Sequence, residues 1–62
     1  MNFIEVKNEN YAKVLVNVDR ITTIEAKQNG GTYIEIAGYG LVNVLESYED
    51  IKNMLGLGGA KE

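Results

Sequence analysis

Sixty-two residues without Cys, His, Pro or Trp, and a formal charge of −3 from nine acidic and six basic side chains, allow a single domain and little else. A chain of this size buries only about 60% of the surface its unfolded form exposes, so such chains usually lean on disulfides, a metal or self-association. Composition excludes disulfides and Cys/His zinc sites, which leaves oligomerisation as the expected support.

Taken in chain order, the hydrophobic period is mostly two. Ile4 and Val6 alternate with Phe3, Glu5 and Lys7 in a first strand, and Asn8-Glu9-Asn10 is a turn cluster. In the second strand Val14, Val16 and Val18 alternate with Lys13, Leu15 and Asn17; β-branched side chains suit a pleated, half-buried surface. The alternation breaks around Asp19-Arg20, where a tight turn or one helical turn is expected, with Asn17 or Asp19 able to cap it. Residues 21–27 read as a third strand with Ile24 and Ala26 inward. Asn29-Gly30 then supplies the two positive-φ residues of a type I′ hairpin turn. Ile34 and Ile36 point inward from a fourth strand, Gly38-Tyr39-Gly40 turns again, and residues 41–45 form a fifth. Ser47 is a helix N-cap with Glu49 and Asp50 behind it; Tyr48, Ile51, Met54 and Leu55 recur at helical spacing, and Gly56 ends the helix.

The expected fold class is therefore α+β, mainly β: a five-stranded antiparallel meander, or a small curled sheet or barrel, with one C-terminal helix covering a face. Residues 1–56 form the domain and 57–62 a flexible tail. Connections of two to four residues favour antiparallel neighbours. The other face is the anomaly. Phe3, Leu15, Tyr33, Leu41 and Leu45 fall on the side away from the valine and isoleucine set, where an antiparallel sheet should be polar. Two readings fit: a curled sheet or barrel that encloses some of them, or a subunit interface.

Catalytic inventory is thin. Without His or Cys, the commonest general base and the thiol nucleophile are missing, and Ser47 is better used as a cap. Glu46, Glu49 and Asp50 resemble dipole complementation more than a cation site, since no Asp-rich loop of ligand spacing appears. The glycine clusters extend to neither a dinucleotide fingerprint nor a P-loop. Arg20, the one arginine, suits a carboxylate or phosphate, and a local pair with Asp19, Glu46 or Glu49 is its plainest use. Tyr39 between two glycines is a candidate stacking platform, with Lys13 and Lys27 as auxiliary cations. No enzyme activity, cofactor or metal is expected. The basic residues are scattered, which argues against nucleic acid, although exposed Tyr33 and Tyr39 are the kind of aromatics a β module stacks bases on. No membrane-length apolar run and no signal-peptide pattern occur, so a cytoplasmic protein is expected.

From Val14 to Leu55 the chain resembles the small flagellar and swarming-motility proteins of the FlbD type. The likeness rests on Leu15-Val16-Asn17-Val18-Asp19-Arg20-Ile21, Ile24-Glu25-Ala26, Gly31-Thr32-Tyr33-Ile34-Glu35-Ile36 and Val42-Asn43-Val44-Leu45-Glu46-Ser47 before the helix. It is similar as well to short phage or mobile-element proteins of unknown function. The resemblance implies a small module that works by contact and carries no catalytic residues. The functional expectation is a homo-oligomeric binding protein acting on a host or cellular protein partner. The alternative is a phage-type protein that sequesters a nucleotide or other anionic small molecule between subunits through Arg20, Tyr39 and Lys13.

Overall fold

A computed structural model describes residues 2–57. Five antiparallel strands and one helix form, but in two sheets. β1 (Phe3–Lys7) pairs with β2 (Lys13–Asn17), and β3 (Ile21–Ala26), β4 (Thr32–Ile36) and β5 (Gly40–Val44) form a three-stranded meander. The single meander and the closed barrel of the sequence reading are thus corrected, because β2 and β3 do not pair. Between them Val18–Arg20 makes a 3-10 turn, with the Asn17 side chain accepting from the Asp19 N–H at 3.0 Å. A two-residue turn would have laid β3 beside β2. The 3-10 turn takes three residues out of the ladder, and β3 starts a new sheet.

The sheets are tied at two corners. Asn8 bridges to Val44, and the Leu45 N–H donates to the Lys7 carbonyl at 2.9 Å. At the other end Val18 donates to the Asn2 carbonyl at 2.9 Å and Ala37 to the Arg20 carbonyl at 2.8 Å. Ile4, Val6, Val16, Ile34, Val44 and Ile51 are buried in one core drawn from both sheets and the helix. Val14, Ile24, Ile36 and Val42 pack around it. Each fully buried aliphatic side chain contributes roughly 1.5–3 kcal/mol. Ala26, expected inward, is exposed. β3 buries nothing completely, and its register is broken by a bulge between Ile21 and Thr23.

The helix α1 (Tyr48–Met54) is capped at both ends as its sequence predicts. Ser47 Oγ accepts from the Asp50 N–H at 3.1 Å. At the C-terminus Gly56, at φ +79°, donates to the Asn53 carbonyl, and Leu57 donates to that of Lys52, a Schellman closure. Leu57 therefore belongs to the helix cap; the rest of the expected tail lies outside the described residues. The helix packs against β3 and does not blanket a sheet face. Consequently only Ile51 and Leu55 of the expected stripe turn inward, while Tyr48 and Met54 are exposed. Seven residues make two turns, enough for one buried side chain and one partly buried.

Two loops carry information that the turn residues did not. In loop 27–31 the Gly30 N–H donates to the Lys27 carbonyl at 3.2 Å, and the Lys27 N–H to that of Gly31 at 2.9 Å. Gly30 has φ +100° and Asn29 does not have positive φ, so the loop is a three-residue type I turn with a glycine bulge. The expected type I′ turn is not formed. Loop 8–12 has the same pair of bonds, Tyr11 to Asn8 and Asn8 to Ala12, both at 2.9 Å.

Candidate functional site

The outward apolar residues keep the orientation their alternation implies, but the split of the sheet divides them. Phe3 and Leu15 lie on the two-stranded sheet, Tyr33 and Leu41 on the three-stranded one, and Leu45 just after β5 at the corner. They do not form the single patch a five-stranded sheet would have made. Leu15 is 65% exposed, Leu41 61%, Phe3 47% and Leu45 39%. Tyr33 differs: it is half-buried, with Lys27 Nζ 5.1 Å from its ring centroid. That contact occupies both the aromatic face and one of the auxiliary cations.

Instead the structure gathers Phe3, Leu15, Val14, Ile36, Tyr39 and Val42 around a mostly apolar groove of about 340 Å³ between β2 and the β4–β5 turn. Tyr39 reaches this groove because Gly38 adopts φ +79°, the value that position three of a type II turn requires, and the Tyr39 N–H closes the turn on the Ile36 carbonyl at 3.0 Å. Tyr39 is 78% exposed. The groove mixes β2 residues of both faces, which a strict inward/outward split of the sequence does not anticipate.

Arg20 is exposed beside the same turn. A Cβ placed on Gly38 would lie 3.9 Å from its Nη1. The local ion pair expected for it is absent: among the described residues Arg20 makes no salt bridge, whereas Glu49 pairs with Lys52 at 3.7 Å. Glu46 instead accepts the Lys7 N–H on both carboxylate oxygens at 3.1 Å. Its carbonyl accepts from the buried Thr32 hydroxyl at 2.7 Å. The acidic cluster thereby disperses into sheet and helix contacts, and no group of three or more metal-ligating side chains converges among the described residues. Lys13 sits directly opposite Lys7, at the far end of β2 from Arg20. The five-residue strand keeps them more than about 13 Å apart along the chain direction, so Arg20 stands beside the turn that carries Tyr39 while Lys13 does not join Arg20.

One exposed residue was not legible as special. Tyr11, 75% exposed, has φ +65°, which only Gly adopts freely. The signal was present in Asn8, whose Oδ1 accepts from Asn10 and Ala12 N–H at 2.9 and 3.0 Å and organises the loop. No helix among the described residues is long and apolar enough to cross a membrane. No family model matches the chain, and neither does any curated protein or solved structure.

Proposed function

We propose that this protein is a small, non-enzymatic, cytoplasmic homo-oligomer that acts by contact with a host or cellular protein partner. The carrying observation is the exposure of Phe3, Leu15 and Tyr39 around one apolar groove, in a fold whose described residues include six buried hydrophobic side chains. Contiguous exposed apolar side chains on a small soluble protein mark contact surfaces. The resemblance to FlbD-type and short phage proteins adds the expectation of a contact module, and the missing His and Cys leave little acid–base or thiol chemistry. Size-exclusion chromatography with light scattering tests the reading. A dimer or larger species at micromolar concentration is expected, shifted toward monomer by Leu15→Lys; a stable wild-type monomer overturns it.

A second reading, sequestration of an anionic small molecule such as a nucleotide, is favoured by one arrangement. Arg20 has no carboxylate partner among the described residues and stands beside the turn that displays Tyr39. A guanidinium next to an aromatic ring suits a phosphate and a base. Native mass spectrometry after incubation with a nucleotide mixture decides it: a retained ligand mass lost in Arg20→Ala and kept in Lys13→Ala supports an Arg20-centred site, and no retained mass removes it.

A further inference from the structure

The two sheets have four outer edges: those of β1 and β5 meet at the Asn8–Val44 bridge and the Leu45–Lys7 bond, while those of β2 and β3 do not meet, and these two are not equivalent. β3 ends the three-stranded sheet, but it is bulged and α1 packs against it. Leu55 and Leu57 line a groove over Ile21 and Ile24. Bulges and covering elements are the usual protection of an edge. β2 has neither. It pairs with β1 in unbroken register over all five residues, and contains one charge and no proline.

The hydrogen-bond parity of β2 follows from its two ends. Asn8 donates to the Ala12 carbonyl and Val18 to that of Asn2. Bonded and non-bonded pairs alternate in an antiparallel ladder, so Val14 and Val16 exchange bonds with β1 while Lys13, Leu15 and Asn17 do not. The N–H and C=O groups of those three residues point along the free edge. The apolar groove lined by Val14, Ile36, Tyr39 and Val42 runs beside it.

We propose that this edge is the self-association surface. A second copy of the chain adds its own β2 antiparallel to the first, about a twofold axis at Leu15, giving a continuous four-stranded sheet in the order β1–β2–β2–β1. The proposal rests on the homo-oligomer reading and names the surface that serves it. Leu15 opposite Leu15 is the register that pairs all five residues. It sets Lys13 against the neutral Asn17 of the second copy, twice, and Val14 against Val16. The register that sets Lys13 against Lys13 adds a like charge to a residue that already faces Lys7. Strand addition also lays the second copy's β2 beside the apolar groove. On the other face it joins Leu15 and Phe3 of both copies into one apolar stripe. Edge, groove and charge are thus self-complementary in one arrangement.

The chain has no cysteine, so single substitutions report the register. Opposed residues of a hydrogen-bonded antiparallel pair have Cα atoms about 5.5 Å apart, within disulfide reach. Leu15→Cys is expected to form a disulfide with itself about tenfold faster than Leu41→Cys under the same mild oxidation. Lys13→Cys is expected to be slow by itself, its two copies lying about 13 Å apart, and fast when mixed with Asn17→Cys. In chemically synthesised protein, N-methylation of the Leu15 amide removes an intermolecular donor at each copy and leaves the β1–β2 ladder intact. It should weaken the dimer by at least about tenfold. A dimer that tolerates N-methylation and cross-links at Leu41→Cys as readily as at Leu15→Cys overturns the edge assignment and leaves the oligomer reading standing. Monomeric wild type with uniformly slow cross-linking overturns both.

Discussion

Loops 8–12 and 27–31 are built on the same two main-chain hydrogen bonds, yet they fill the demanding positions with opposite residue types. The fourth position, at φ +65° in one and +100° in the other, holds Tyr11 and Gly30. The fifth holds Ala12 and Gly31. Glycine at the left-handed position of loop 27–31 removes backbone strain. Glycine at the next position does something else, because a Cβ on Gly31 would stand 2.6 Å from the Val44 carbonyl oxygen. Ala12, in the same local geometry, is exposed and has room for its methyl group. One Gly-Gly pair therefore serves two physical ends, a turn and a close strand approach. The tyrosine of the other loop is held in a conformation that works against it.

The comparison breaks most sharply at Gly31. Gly31→Ala drives a methyl group into the β5 backbone, and the fold should lose about 2–3 kcal/mol, read by urea denaturation. A loss below that observed for Gly30→Ala would mean that β5 yields easily. Gly30→Ala meets no atom within 4 Å and suffers only the left-handed backbone, so about 1 kcal/mol is expected. Next come the side-chain acceptors. Asn8 accepts from two backbone N–H groups and Asn29 from one, that of Gly31. Asn8→Ala should therefore cost about 1 kcal/mol and Asn29→Ala about half as much, both discounted by solvent exposure. Equal effects would show that the second Asn8 bond contributes nothing. The smallest change has the opposite sign. Tyr11→Gly relieves strain while adding unfolded-state entropy, for a net gain of about 0.5 kcal/mol. A net loss instead would reveal a contact made by the Tyr11 ring.

Local rules carried far in this chain. The Asn17 cap of the one-turn helix, the Ser47 cap, the Gly56 closure and the inward set Ile4, Val6, Val16, Ile34 and Val44 were all readable from residue type and period. Turn composition is a poorer guide where a turn is fixed by residues outside it. Asn29-Gly30 has type I′ composition, but the two-residue turn would have left Gly31 inside the ladder. Its close approach to Val44 fits the three-residue loop that forms. Likewise Asp19, Glu46 and Glu49 are the partners the sequence suggests for Arg20, yet Glu46 and Glu49 are claimed by the Lys7 amide and by Lys52.

The alternation of β-branched and polar residues determined most of the side chains that enter the core and how many strands and helices form, because burial of one face follows a period of two or 3.6. The partition of five strands into two sheets was decided by tertiary structure. A 3-10 turn of three residues redirects the chain between β2 and β3, and long-range bonds from Asn2, Lys7, Arg20, Ala37 and Leu45 fix the corners. That partition separates Leu15 from Leu41, places Arg20 beside the Gly38 turn, and leaves β2 with an open edge. None of these follows from local pattern, since each depends on backbone groups far apart in the chain meeting in space.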